Sequence, residues 1–162
     1  RFMLKLTVEI PDRDRERAIL DRFDDEPGLG PEDVDRVVAD DELRAARERA
    51  LNVHVDEKVR EYILDIAEAT RVSADIEHGL SPRGSLAYQN ASKARAAIHG
   101  RDYVIPDDVK ALASPVLRHR LITSTDAELS GLSIDDLIDQ LVDSVSVPDG
   151  VDPEEIPDRP QA

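Results

Sequence analysis

Asp56 is followed by Val59, Tyr62, Ile63, Ile66 and Ala67, apolar positions that recur at three and four residues. That period lays one continuous stripe along an α-helix and fits no strand, so other elements of the chain must cover it. Aromatic residues make up only 3% of a sequence that is 40% hydrophobic. The covering core is therefore built from Leu, Ile, Val and Ala, which favours packed helices. At 162 residues there is room for one ordinary domain, or for a small domain plus a fragment of another.

The first ten residues follow a different rule. Phe2, Leu4, Leu6, Val8 and Ile10 alternate with Met3, Lys5, Thr7 and Glu9, the period of a half-buried strand. One strand cannot satisfy its own ladder and no second long strand follows. This one is expected to pair with a sheet outside the present sequence, as part of a longer protein. Pro11 and Asp12 open a helix through about Phe23, with Ile19, Leu20 and Phe23 on one face. Residues 24–31, acidic and rich in Pro and Gly, read as an exposed connector and a domain boundary. After a short extended piece at Val37 and Val38, Asp40 or Asp41 caps a helix to about Leu51. Asp56 caps the amphipathic helix, which ends at Thr70 and Arg71, and a polar loop leads to Gly79.

Ser81 is a suitable N-cap, Pro82 suits the first helical position, where its missing N–H would go unpaired in any case, and Gly100 is a natural stop. Arg83 then falls in the first turn, where unpaired N–H groups and the macrodipole already carry positive charge; a cation there costs about 0.3–1 kcal/mol. A phosphate-sized anion would compensate, because a helix N-terminus beside a guanidinium fork suits one. Arg71 could reach the same anion, although a basic residue in a last helical turn is ordinarily explained by the dipole. Ala87, Ala91, Ala94 and Ala97 give this helix a small inner face that lets another helix approach closely. The segment Leu117–Leu121 sets Arg118, His119 and Arg120 between apolar anchors and suits either a subunit junction or ion pairs with surface carboxylates. Ser130–Val147 gives a last helix, and from Pro148 the chain is acidic and proline-rich with little to bury.

The run Gly79-Leu80-Ser81-Pro82-Arg83 resembles the Gly-x-Ser-Pro-Arg segment of the MoxR branch of AAA+ ATPases. Three more segments agree in order: Arg1-Phe2; Gly100-Arg101-Asp102-Tyr103-Val104 with Pro106, Asp108 and Val109; and Val116-Leu117-Arg118-His119-Arg120-Leu121. Together they cover most of residues 1–148. The resemblance implies a mainly α fold, a helical AAA+ lid bundle with short extended pieces over residues 41–147. Before it would come one strand and one helix of a truncated α/β core over residues 1–25 and a linker over 26–40, with a disordered acidic tail over 148–162. By the same resemblance Arg83 is sensor 2, reaching the terminal phosphates of ATP, and Ser81, Pro82 and Gly84 are cofactor-binding residues of the same turn. Arg1 resembles the arginine of related AAA+ helicases that enters the ATP site of the neighbouring subunit as a finger; a strand-start arginine without that role is the alternative. Also implied for the full-length protein are ATP and Mg²⁺, the chain's own AAA+ core as partner and a homo-oligomeric ring, a hexamer. Its work would be chaperone-like remodelling of partner proteins, commonly ones with von Willebrand factor A domains. Two positions depart from the pattern. Ile105 stands where a hydroxyl cap is usual, a loss of about 0.5–2 kcal/mol. Gly84 replaces the usual alanine, costing about 1 kcal/mol of helix propensity while leaving room for a ligand or a backbone.

The sequence has no Gly-x-x-x-x-Gly-Lys-[Ser/Thr], no strand ending in a Walker B acidic pair, no Gly-x-Ser-x-Gly and no His-Glu-x-x-His. Phosphoryl transfer needs several charge-stabilising parts at once, so these residues alone are expected to be inactive and to hold no cofactor. The rival reading is a free-standing helical interaction module that binds a peptide helix in its Ala-lined grooves. No run of eighteen apolar residues and no leader is seen, and the chain reads as cytoplasmic and away from membranes. With no cysteine, and with His54, His78, His99 and His119 unpaired along any helix, no metal site is expected. A formal charge of −15 disfavours nucleic acid and anionic lipid. The acid is mostly Asp and the base mostly Arg, which suggests a halophilic source, where screening lengths fall to about 3 Å at 1 M salt. The melting temperature of the chain should rise between dilute and molar KCl, and an unchanged value would remove that reading.

Overall fold

Short polar side chains set most helix starts in the structure, a computed structural model that describes residues 2–149. Asp12 caps α1 (Arg13–Asp25) by accepting the Arg15 N–H, and Asp56 caps α3 (Glu57–Val72) by accepting that of Lys58. Ser81, Ser124 and Ser133 do the same for α4 (Pro82–Ile98), α6 (Thr125–Leu129) and α7 (Ile134–Ser144). Two helices lack such a cap and are closed from the inside. In α2 (Asp40–Leu51) the Glu42 carboxylate accepts the Ala39 N–H at 2.7 Å, so Asp40 and Asp41 lie within the first turn instead of capping it. In α5 (Pro106–Leu117) the Asp108 carboxylate accepts the Ile105 N–H at 3.1 Å, which offsets the cap missing at Ile105. Arg1, and the predicted tail from Gly150 onward, lie outside the described residues.

The chain is mainly α, as predicted, and divides into two compact units. One, Leu6–Ala45, holds α1, a 3₁₀ turn at Pro31–Asp33 and the start of α2; the predicted face of Ile19, Leu20 and Phe23 is exposed. The strand expected over residues 2–10 is not formed. Alternation makes a strand only where a neighbour takes its N–H and C=O groups, and no ladder is present there.

The other unit joins residues 2–5 to residues 46–149. Its core is the α3 stripe of Val59, Tyr62, Ile63, Ile66 and Ala67, buried as its period required, against α4, α5 and α7. Where a polar loop was expected, β1 (Ile76–His78) pairs antiparallel with β2 (Ile122–Thr123). The buried face of α4 is Gly84, Tyr88, Ala91, Ser92 and Ala96, whereas Ala87, Ala94 and Ala97 are only half-buried. The predicted alanine face is rotated because Tyr88 takes the inner place, its hydroxyl donating to the Val109 carbonyl at 2.7 Å. The single helix predicted over residues 130–147 is shorter, beginning after Gly131, whose φ of 76° breaks it from α6. No helix among the described residues is long and apolar enough to cross a membrane.

Asp108 anchors this unit electrostatically. Its side chain is 1% exposed and takes a two-pronged hydrogen bond from Arg101 at 2.6 and 2.7 Å, with Arg95 Nε 3.4 Å away. Burial pushes its carboxyl up; the Arg101 fork, the Ile105 N–H and the charges of Arg101 and Arg95 outweigh that, so it titrates below the ordinary carboxylate range. An acid whose folded pKa is depressed contributes stability above its unfolded pKa of about 4, and that contribution is lost as pH falls through the folded value. Asp108→Asn should cost about 3 kcal/mol at pH 7, the low end for a broken buried pair because Arg101 keeps some solvent contact. It should also flatten the fall in stability below about pH 4. Denaturant titrations at pH 7 and pH 3 check both.

Candidate functional site

Leu80 decides where α4 begins. Its N–H donates to Thr70 Oγ1 at 2.9 Å and its carbonyl accepts from Arg71 Nε at 2.8 Å, so the end of α3 holds both polar groups of this one residue. Thr70 is fully buried and its own hydroxyl donates a hydrogen bond to the Ala67 carbonyl at 2.6 Å. Gly79 has to be glycine for this seat, since a Cβ there would stand 2.7 Å from the Thr70 carbonyl oxygen and 2.8 Å from Arg71 Cα. The Leu80 side chain, 1% exposed, fills the space beside Gly84, where a Cβ would lie 2.3 Å from its Cδ1. The room left at Gly84 thus receives a side chain of the same chain, where a ligand or a backbone was expected.

With Leu80 seated, Ser81 Oγ accepts the Gly84 N–H at 3.3 Å and Pro82 opens the helix. Arg83 follows, exposed, with no hydrogen-bond or ion-pair partner among the described residues. Arg71 is not beside it in this role: its guanidinium is spent on the Leu80 carbonyl and on Glu68.

Arg83, Ser81, Gly79 and Gly84 line a cavity of about 400 Å³, together with Leu86, Ala87 and Asn90 farther along α4. The opposite wall is Phe2, Met3, His119 and Arg120. The volume lies within the usual range for ligand clefts, about 300–1,000 Å³. Two arginines and a histidine face this space and no carboxylate does, so it favours an anion and offers no hard oxygen donor set for a divalent cation.

Sequence reasoning left His119 and Arg120 outside the site, and the end of α5 explains how they enter it. The last four carbonyls of a helix need partners from elsewhere. Here Ser114 O accepts from the Arg118 N–H, Pro115 O from the Lys5 N–H at 2.8 Å, Val116 O from the Arg120 guanidinium, and Leu117 O from the N–H groups of Arg120 and Leu121. Lys5 and Arg120 thereby bring residues 2–5 against α5. Arg118 takes the other course open to this segment and pairs with Asp135, which also accepts from Ser114 Oγ at 2.6 Å. The signal in the sequence for Arg120 was its place just past a helix end; its reach to residues 2 and 3 had none.

Residues 68–141 match the family model of the AAA lid domain. The chain is 32% identical over 148 residues to the protein YeaC of Bacillus subtilis, covering 91% of this chain and 46% of that protein. It is also 32% identical over 157 residues to the chaperone MoxR1 of Mycobacterium tuberculosis, covering 91% of this chain and 41% of that one. In structure it is similar to a Cytophaga hutchinsonii protein designated an ATPase, with a TM-score of 0.81, 26% identity, and coverage of 91% of this chain and 47% of that chain. The chain spans less than half the length of each of these relatives.

Gly84→Ala should gain about 1 kcal/mol of helix propensity and lose more through overpacking, which costs about 1–3 kcal/mol where a clamped, buried neighbour cannot yield. A lower denaturant midpoint for the 162-residue chain is the expected result. A raised midpoint would mean that Leu80 swings aside.

Proposed function

Because this chain is the lid-bearing part of a MoxR-family AAA+ ATPase, we propose that the cavity at the start of α4 receives the terminal phosphates of ATP and that Arg83 reads them as sensor 2. The observation that supports the reading is one of charge. Each of the other α-helices among the described residues has an acid in its first turn; α4 has none and carries Arg83 there, in a chain of net charge −15. A helix start left positive, with an unpartnered guanidinium on it, is the arrangement that an incoming phosphate stabilises.

Residues 1–25 are then the closing segment of the nucleotide-binding core, 26–40 the linker and 41–147 the lid. Ser81, Pro82 and Gly84 act by placing Arg83. The ligands of Mg²⁺ come from the core, since this cavity offers no carboxylate. In hydrolysis the bond to the terminal phosphoryl group breaks as water attacks it, and charge spreads over its oxygens; a guanidinium held against those oxygens stabilises that charge. Arg1, carried next to Phe2, acts as the finger toward a neighbouring subunit of a homo-oligomeric ring. Lid rotation couples the cycle to remodelling of partner proteins, those with von Willebrand factor A domains among them.

In the full-length ATPase, Arg83→Ala should lower kcat by about tenfold or more, the scale of a lost charge-stabilising donor. A change below about twofold would overturn the sensor assignment and favour a helical interaction module in its place.

A further inference from the structure

Arg120 is an unusual arginine for so acidic a chain. Among the described residues it has no carboxylate partner, and its guanidinium is directed at main-chain carbonyls: Phe2 O at 2.5 Å, Met3 O at 3.0 Å, and Val116 O. It also meets His119 Nε2 at 2.7 Å, and that same nitrogen lies 3.1 Å from Phe2 O. At the other end of the side chain, Cδ lies 3.3 Å from the place a Cβ on Gly84 would take, so the stem rests on the first turn of α4 beside Arg83. One residue therefore touches both walls of the cavity and the C-terminus of α5.

We infer that Arg120 is a positioning residue for the reaction, holding the Phe2-Met3 backbone at a set distance from the α4 first turn that carries Arg83. The inference rests on the phosphate reading of that cavity. Capping α5 accounts for a single donor, the one on Val116 O. It leaves unexplained why the remaining donors are spent on two consecutive carbonyls more than a hundred residues away in sequence. Burial also pulls the guanidinium pKa down from its ordinary value, so the placement works against the charge and against simple solvation. A planar fork can satisfy two carbonyls at once, whereas an ammonium on a flexible stem cannot hold both in one geometry. Lysine at this position keeps the charge at the helix end and loses the clip.

The test compares Arg120→Lys, Arg120→Ala, Arg83→Ala and the Arg83→Ala/Arg120→Lys double variant of the full-length ATPase, reading kcat, KM for ATP with Mg²⁺, and melting temperature. Arg120→Lys should melt close to the parent while kcat falls by about tenfold with KM within about twofold, the pattern of a group that acts only on the transition state. In the Arg83→Ala background the same change should cost less than about twofold more, because the clip serves Arg83. Full kcat in Arg120→Lys, losses that multiply in the double variant, or melting as low as in Arg120→Ala would each overturn the inference and leave Arg120 a helix cap. If Arg83→Ala itself leaves kcat unchanged, the phosphate reading falls and this inference with it. A slow Arg83→Ala beside a normal Arg120→Lys overturns the positioning role alone.

Discussion

The seat of Leu80 governs the rest of the lid. Two residues at the end of α3 hold its N–H and its carbonyl, and the missing Cβ of Gly84 admits its side chain to the core. Backbone hydrogen bonds and close packing at one residue leave little freedom of position, so the helix that starts next to it inherits a fixed origin and direction. Arg83 lies three residues beyond and takes its backbone position from that origin; no hydrogen bond or ion pair among the described residues holds its side chain.

Around this seat, charge is distributed by a simple rule with one exception. Acids crowd the starts of the helices, where the macrodipole favours them, and carboxylates pair inward where a cation is near, as Asp108 does with Arg101 and Asp135 with Arg118. At α4 the rule is inverted, and the inverted end opens into a cavity walled by Arg120 and His119. The cost of placing positive charge on positive dipole persists unless an anion offsets it. Local electrostatics thus favour an anion at this helix start.

Patterns within one helix were legible in advance. The α3 stripe, its Asp56 cap, the Ser81-Pro82 start and the Gly100 stop follow from periodicity and capping chemistry, which act over a turn or less. Elements that exist only through a partner were not. The strands β1 and β2 are three and two residues long and form because the ends of α3 and α5 bring them together. The alternating residues 2–10 fail as a strand for the converse reason. Tyr88 displaced the alanine face of α4 because a hydroxyl partner, Val109 O, waited on another helix.

The sequence alone determined that helices form, where most of them start and which first turn carries the unbalanced arginine, because these depend on neighbours within about four residues. Tertiary structure alone decided that Arg71 serves the Leu80 carbonyl, that Gly84 makes room for a side chain, and that Arg120 and His119 complete the cavity with residues 2 and 3. Each of those outcomes depends on which unpaired carbonyl or vacant space lies within reach after packing, and packing between distant segments leaves no periodic trace in the chain.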